Sequence, residues 1–163
     1  MGEYMNSDIL IMVLMLAYNH ENYISQAIES VLMQKTEYRI QLVIAEDCST
    51  DSTREIVEEY YRNYPDKIKL ILNDRNMGMR RNATNIYKYV VGADYLASCE
   101  GDDYWTDSHK LQKQIHFLEE HQEYIGTAHK VAIVDENGNP ISGFNMNIFC
   151  KERIYTIEHA EKG

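Results

Sequence analysis

Three carboxylates lie within four residues in the stretch "ASCEGDDYWTD", which spans residues 97–107 and contains the only tryptophan of the chain. Glu100, Asp102 and Asp103 directly follow a run that is typical of a buried strand. Two unscreened carboxylates about 4 Å apart repel by about 4 kcal/mol at an effective dielectric constant near 20. A hard divalent cation such as Mg²⁺ or Mn²⁺ would turn this repulsion into attraction, and it would also bind oxygens of a diphosphate.

Two interpretations of this acidic cluster stand side by side. Acidic loops are commonly solvated, and Asp102 or Asp103 could cap the helix that follows. In favour of a metal site, Glu100 and Asp102 would point the same way in an extended segment, because side chains alternate there. Gly101 between them would let a ligand approach the backbone.

Length and charge restrict the class of protein. With 163 residues, the chain is long enough for one domain with a full hydrophobic core. Its formal net charge is −10. A broad nucleic-acid or anionic-lipid surface would require the opposite sign, so we expect no nucleic-acid partner. A small anionic ligand is compatible with this charge if a cation or a few local bases offset it.

The cysteines and the apolar segments indicate the compartment. Cys48, Cys99 and Cys150 are odd in number and form no CxxC pair, which favours reduced thiols over a disulfide framework. The apolar run at 9–16 is shorter than the roughly 20 residues that span a bilayer. It also lacks the basic segment and the cleavage site of a signal peptide. We therefore expect a cytoplasmic protein, with a peripheral position at the inner face of the membrane as an option.

Strand and helix patterns alternate four times along the chain. Apolar runs predict buried strands at 9–16, 40–47, 67–72 and 94–100, and helical spacing predicts helices at 22–34, 49–65, 83–91 and 108–121. Ser52 and Glu55 have the spacing of a capping box. The Asn137-Gly138 pair predicts a hairpin turn within a strand-and-hairpin segment over 124–141. The alternation predicts an α/β fold, with an open, mostly parallel sheet and helices on both faces.

In such sheets ligands bind beyond the carboxyl ends of the strands, so we expect the loops there to converge. Glu46 and Asp47 follow the second strand and could cap the next helix or face a ligand. Tyr18 could pack in the core or stack on a base, whereas Arg80 and Arg81 could be solvated or meet phosphate.

Other conspicuous residues carry no assigned chemistry. Trp105 is interpreted as a packing anchor rather than a substrate contact. The six histidines form no HxxxH or HExxH pattern, and we assign none of them a catalytic role.

Four segments, in this order, resemble the family 2 glycosyltransferases, the large inverting group with the GT-A fold. The segments are "LAYNHENYISQAIESVLMQ", "IAEDCSTDST", "NMGMRRN" and "CEGDDYWTDSHKLQKQIHFLE". The resemblance covers roughly residues 9 to 121. It implies a metal-dependent enzyme that moves a sugar from a nucleotide-diphosphate donor to an acceptor hydroxyl, in the synthesis of a surface polysaccharide.

The resemblance also implies which residues bind the donor. "EGDD" stands where the family has its DxD-type motif, commonly written "DSDD", and Asp47 matches the second acid of "DDGSTD", which typically contacts the nucleobase. Glu100 and Glu46 replace aspartates of the family, so both keep a carboxylate on a longer side chain. Asp102, Asp103 and Glu100 are the implied ligands of Mn²⁺ or Mg²⁺. The implied donor-binding residues are Leu16, Ala17, Tyr18, Glu21, Glu46, Asp47, Arg81 and Asp102.

The resemblance does not identify a general base in this chain. In the family that base is an acid downstream of the metal motif, on the acceptor side, and the chain ends near the start of that region. We therefore expect residues 1–163 to be a single GT-A-like nucleotide-sugar-binding domain that is incomplete at its C-terminus. The expected partners are the donor and a glycan or lipid-linked acceptor, and a homo-oligomer is possible. The alternatives are a nucleotide-binding module without catalytic activity and a flavodoxin-like signalling domain, which lacks its matching lysine here.

Overall fold

The computed structural model describes residues 8–135 and 138–141, and in this part the chain alternates between strands and helices. The strands are β1 (Leu10–Ala17), β2 (Arg39–Glu46), β3 (Ile68–Leu72) and β4 (Tyr95–Ser98). The helices are α1 (Ile24–Leu32), α2 (Thr53–Asn63), α3 (Met79–Ile86), which continues as a 3₁₀ turn over Tyr87–Tyr89, and α4 (Lys110–Glu120). No helix among the described residues is long and apolar enough to cross a membrane.

The four strands form one sheet in the order β3-β2-β1-β4. Each neighbouring pair is parallel, with Leu10 opposite Arg39 in β1 and β2 and Ile11 opposite Tyr95 in β1 and β4. The predicted open, parallel α/β sheet is therefore confirmed. The chain runs outward from β1 to β3 on one side and then returns to place β4 on the other side. The strand order thus reverses between β1 and β4, where open α/β sheets bind ligands.

Both faces of the central strand β1 are buried, as its continuous apolar sequence predicts. On one face, a cluster of buried residues from three strands packs with Ile86 of α3; it comprises Met12, Leu14, Val43, Ala45, Ile71 and Ile86. On the other face, Ile11, Val13 and Met15 are fully buried, and α1 and α4 bury apolar stripes of their own. The prediction of helices on both faces of the sheet is confirmed.

Helix α3 begins at Met79, four residues before the predicted start. Gly78 adopts a left-handed φ of +79° directly before the helix, and the amides of Arg81 and Asn82 donate to its carbonyl. The periodicity did not reveal this first turn because its inward residue is Asn82, a buried amide, rather than an apolar side chain. Arg80 and Arg81 therefore lie on a helix and not in a loop.

Two further local predictions differ from the structure in detail. Ser52 occupies the N-cap position of α2, but its side chain makes no capping hydrogen bond; a carboxylate oxygen of Asp51 accepts from the Thr53 amide instead, at 3.0 Å. The predicted strand and hairpin over 124–141 appear in the described residues as one antiparallel bridge between Val134 and Pro140. Asn137, in the predicted turn, lies outside the described residues.

The chain divides into two compact units, residues 1–119 and 120–163. The first unit holds the sheet and the loops that follow its strands. The expectation of a single nucleotide-sugar-binding domain over residues 1–163 stays a prediction.

Candidate functional site

The loops that follow β1 and β2 are tied together by reciprocal hydrogen bonds. The Asn19 amide donates to Ser49 Oγ at 3.0 Å, and the Thr50 amide donates to Asn19 Oδ1 at 2.9 Å. Asn19 and Cys48 adopt left-handed φ angles of 56° and 57°, which turn the chain sharply after each strand. Asparagine tolerates this conformation better than most residues. The two loops therefore lie side by side along the carboxyl edge of the sheet.

Glu21, a predicted donor-binding residue, is part of the same connection. One of its carboxylate oxygens accepts from the Ser52 amide at 3.0 Å, and its own amide donates to Asp51 Oδ2 at 3.1 Å. Burial raises the pKa of Asp51, but hydrogen bonds from Thr53 and the Glu21 amide outweigh this effect and lower the pKa below its ordinary value. Glu21 thus holds the start of α2 against the β1 loop.

Asp47 is 2% exposed, and its carboxylate organises the segment after β3. Asp47 Oδ1 accepts from Asn73 Nδ2 at 2.8 Å and from the Met77 amide at 2.9 Å, while Oδ2 accepts from the Gly78 amide at 2.8 Å. Both oxygens therefore fix the loop that leads into α3. The prediction that Asp47 contacts the nucleobase stays a prediction.

Glu46 is fully buried and paired with Arg54 of α2. Arg54 Nε donates to Glu46 Oε2 at 2.6 Å, and the Ser49 amide donates to Glu46 Oε1 at 2.6 Å. The same arginine also donates to the Asn73 carbonyl at 2.6 Å. Burial lowers the pKa of Arg54, but the hydrogen bond and charge of the adjacent Glu46 carboxylate outweigh it, so the pKa of Arg54 lies above its ordinary value. Glu46 therefore ties the loop after β2 to helix α2 and, through Arg54, to the loop after β3, and its role toward the donor stays a prediction.

Two buried amides in this region were not anticipated from the sequence. Asn82 Nδ2 donates to the Ala45 carbonyl at 2.9 Å, and Asn82 Oδ1 accepts from Asn73 Nδ2 at 2.9 Å. Isolated asparagines in a polar stretch carry no periodic signal. Their position after a strand end was the only indication available.

The acidic cluster lies at the point where the strand order reverses. The Gly101 amide donates to the Leu16 carbonyl at 3.0 Å, which continues the β1–β4 pairing beyond the strands. The Asp103 amide donates to the Glu100 carbonyl at 3.1 Å, so residues 100–103 form a turn. The expectation of an extended segment at residues 100–102 is therefore wrong, and the shared direction of the Glu100 and Asp102 side chains stays a prediction.

Gly101 leaves no space for a side chain. A Cβ atom at this position would lie 2.6 Å from His20 Nδ1 and 2.9 Å from the carbonyl oxygen of Leu16. Both distances are too short for a Cβ contact, and the second involves backbone. The glycine thus allows the acidic turn to pack directly against the β1 loop.

His20 is the residue of this site to which the sequence analysis assigned no role. Its Nε2 atom lies 3.9 Å from Asp102 Oδ2, and the side chains of His20 and Asp102 are 22% and 56% exposed. His20 Nδ1 is buried and has no hydrogen-bond partner. His20 follows β1 by three residues, and that position was the only signal available.

The charges of the cluster act on one another. Partial burial raises the pKa of Glu100, and the negative charges of Asp102 and Asp103 raise it further. Among the described residues, no three histidine, cysteine or acidic side chains are grouped as a metal cage. Mg²⁺ is usually held by one or two carboxylates together with substrate phosphates rather than by an all-protein cage. An exposed Asp102 beside two further carboxylates fits a site of that kind.

The remaining predicted residues lie around the same edge. Leu16 is half-buried, Ala17 is buried and Tyr18 is 40% exposed, so Tyr18 presents part of its ring at the surface. Arg81 is exposed in the first turn of α3. Their contacts with a donor stay predictions.

Trp105 is 6% exposed, and Lys110 Nζ lies 4.1 Å from the centroid of its ring. The interpretation of Trp105 as a packing anchor is confirmed.

These features define a class of protein: a parallel α/β domain with an acidic turn at the switch point of its sheet, where nucleotide ligands bind in doubly wound folds. The sequence profile of glycosyl transferase family 2 matches residues 12–160. The chain therefore belongs to glycosyl transferase family 2. This confirms the family that the motifs indicate.

Similar proteins occur in several bacteria. The protein Rv1520 of Mycobacterium tuberculosis is 39% identical over 132 residues, covering 81% of this chain and 38% of its own length. The Escherichia coli enzyme WfaP, named a UDP-Glc:α-D-GlcNAc-diphosphoundecaprenol β-1,3-glucosyltransferase, is 33% identical over 68% of this chain and 41% of its own length. Staphylococcus aureus TarS 1–349, solved in complex with UDP-GlcNAc, matches with a TM-score of 0.60 and 28% identity over 70% of this chain and 32% of its own. The chain thus spans less than half the length of these relatives.

We predict that Arg54→Ala destabilises the protein by about 3 kcal/mol, because it leaves the buried Glu46 carboxylate without its partner. The free energy of unfolding would be measured by urea titration. The matched control is Arg62→Ala, because Arg62 pairs with Glu58 at 4.0 Å on the exposed surface of the same helix. Exposed pairs contribute about 0–1 kcal/mol. Equal losses in the two variants would contradict the structural role of the Glu46 pair.

We predict that Gly101→Ala lowers the free energy of unfolding by about 1–3 kcal/mol, the usual range for overpacking a filled site. Adding His20→Ala should recover part of this loss, since it removes the imidazole but not the Leu16 carbonyl. Gly126→Ala is the control, because a Cβ there meets nothing within 4 Å. A neutral Gly101→Ala variant would show that the acidic turn does not pack against the β1 loop.

We predict a pH-dependent contribution from Glu100. Its pKa is raised by folding, so its favourable contribution is present below the unfolded pKa and is lost as the pH rises through the folded pKa. Between pH 4 and pH 7, the Glu100→Gln variant should therefore become more stable than the wild type. The gain in the free energy of unfolding should not exceed that of an exposed charge interaction, about 0.2–1 kcal/mol. Thermal unfolding with a chelator present would measure this difference, and a difference independent of pH would refute it.

Proposed function

We propose that this chain forms the donor-binding part of a glycosyltransferase that transfers a sugar from a UDP-linked donor to an acceptor hydroxyl. The observation that carries the proposal is the acidic turn at Gly101. It lies at the reversal of strand order, pairs with strand β1 through the Leu16 carbonyl, and exposes the Asp102 carboxylate. Diphosphates of nucleotides bind at such edges, and carboxylates there can hold the cation that a diphosphate requires.

Uridine as the nucleoside is supported by two similar proteins. TarS, at 28% identity, was solved with UDP-GlcNAc, and the name of WfaP gives UDP-Glc as its donor. The WfaP name also gives a diphosphoundecaprenol-linked acceptor, which supports a lipid-linked acceptor in cell-surface polysaccharide synthesis for this chain as well. A cytoplasmic location agrees with a nucleotide-sugar donor.

The residues of the edge divide into two groups in this proposal. Asp102, with Glu100 and Asp103, would hold Mn²⁺ or Mg²⁺, which neutralises charge on the leaving diphosphate. The half-exposed ring of Tyr18 would stack on the base, with Leu16 and Ala17 beneath the nucleoside. Arg81 at the start of α3 would meet donor phosphate.

The second group holds the loops of the site in place. Glu46, Asp47 and Glu21 use carboxylate oxygens within the protein, to hold the loops after β1, β2 and β3. Loops held in this way are already ordered before the donor binds. Donor binding therefore costs less conformational entropy. A contact from Asp47 to the base would add to this role rather than replace it.

Chemically, the proposed reaction is a direct displacement at the anomeric carbon with inversion. The acceptor oxygen forms the new bond, the UDP oxygen leaves with the electron pair, and a general base takes the acceptor proton. We assign this base to no described residue of the chain. The alternative function is a nucleotide-binding module without transfer activity.

We predict that the protein binds UDP in the presence of Mn²⁺ more tightly than GDP or CDP, and that Asp102→Asn weakens this binding about 10–100-fold. The variant keeps the size of the side chain but removes its charge, which costs about 1.5–3 kcal/mol when a charged contact is lost. Calorimetric titration of the three nucleotides, with and without Mn²⁺, measures both effects.

Asp66→Asn is the matched control, because Asp66 is an exposed aspartate outside the edge. Equal binding of UDP by wild type and Asp102→Asn would remove Asp102 from the site. Release of UDP from a UDP-sugar upon addition of a lipid-linked acceptor would distinguish an enzyme from a non-catalytic module. Binding without any such release would favour the module.

A further inference from the structure

Helix α3 and the 3₁₀ turn after it present an exposed stripe, here called the α3 stripe, which comprises Arg80, Thr84, Tyr87 and Lys88. Residues three, four and seven positions apart lie on the same side of a helix, which places these side chains in one row. Asn82 and Ile86, on the opposite side of the helix, are 2% exposed and pack toward the sheet. The stripe therefore faces away from the core.

The charge of this region is opposite to that of the whole chain. Residues 75–91 contain Arg75, Arg80, Arg81 and Lys88 and no acidic residue, whereas the chain has a net charge of −10. Within the part of the chain that the structure describes, none of the four forms an ion pair, and Lys88 Nζ donates only to Asn85 Oδ1 at 3.1 Å. Within this short segment of an acidic protein, four cations without an ion pair make the local charge positive, which favours the binding of anions.

Exposed apolar side chains accompany these charges. Met79 is 81% exposed before the stripe, Tyr87 is 58% exposed within it, and Val91 is 82% exposed after it. Lysine and arginine combined with exposed apolar and aromatic side chains are typical of helices that lie at the surface of an anionic bilayer. Protein interfaces also contain apolar and aromatic side chains, so an acidic protein is the alternative partner that the vesicle assay must distinguish.

We propose that the α3 stripe docks this protein on an anionic lipid surface. Helix α3 begins at the loop that Asp47 holds, so the stripe starts at the carboxyl edge of the sheet. Docking there would hold the candidate donor site close to the lipid headgroups. The choice of a lipid rather than an acidic protein rests in part on the lipid-linked acceptor proposed above. The overall negative charge argues against a broad lipid-binding surface, and a narrow stripe is compatible with it.

Flotation of the purified protein with lipid vesicles tests this proposal. Vesicles of phosphatidylcholine with about 30% phosphatidylglycerol should carry the protein upward at low salt, whereas pure phosphatidylcholine should carry little. Arg80→Gln combined with Lys88→Gln should weaken the partition about 25-fold, because each cation near an anionic bilayer contributes about fivefold. Salt at 0.5 M should reduce binding of the wild-type protein for the same reason.

The matched control is Lys35→Gln combined with Lys67→Gln, which makes the same change in net charge. Both lysines are exposed, and neither forms an ion pair among the described residues. This pair should bind vesicles like the wild type. Circular dichroism of all variants would verify that they are folded, and the substitutions avoid Arg81 because it belongs to the candidate donor site.

Three results would overturn the lipid surface: no flotation of the wild type, equal flotation with neutral vesicles, or equal losses in the two double variants. A wild-type dimer that is disrupted by the Arg80 and Lys88 changes, without flotation, would instead assign the stripe to a second copy of the chain. The vesicle assay contains neither donor nor acceptor. Failure to bind UDP with Mn²⁺ therefore contradicts the proposed function alone, and failure to float contradicts only the stripe.

Discussion

The close contact between Gly101 and the β1 loop is the constraint on which the arrangement of the site depends. The Gly101 amide extends the pairing of β4 with β1 by donating to the Leu16 carbonyl, and His20 occupies the space where a side chain would be. At this contact the chain turns over residues 100–103. Three carboxylates are thereby held at the place where the strand order reverses, despite their mutual repulsion.

The loops around this turn are held by buried polar groups rather than by apolar packing. Glu46, Asp47, Asn73 and Asn82 are almost fully buried, and each accepts or donates hydrogen bonds that join the ends of β2 and β3 to α2 or α3. A buried polar group without a partner is costly, so such a network has few alternative arrangements. The edge of the sheet is consequently ordered without a ligand, and the exposed Tyr18 and Asp102 are left available at its surface.

The distribution of charge gives the molecule two distinct surfaces. The acidic turn follows β4, whereas Arg80, Arg81 and Lys88 lie on α3 and its 3₁₀ turn, which follow β3 in the chain. A divalent cation can hold a diphosphate at the first surface, while the second attracts anions directly. Their shared edge links the candidate donor site and the proposed lipid surface in one geometry.

The order of strands and helices, the parallel sheet and the family could be predicted from the sequence, since apolar runs and helical spacing report burial and the family motifs are local strings of residues. The start of α3, the turn at residues 100–103 and the place of His20 could not, because each depends on a contact between segments far apart in the chain. The pairing of Glu46 with Arg54, and the hydrogen bonds that the Asp47 carboxylate accepts from the loop before α3, could not be predicted for the same reason. The sequence by itself thus determined which residues gather at the edge, and only the tertiary structure decided which of their polar atoms are used within the protein and which face solvent.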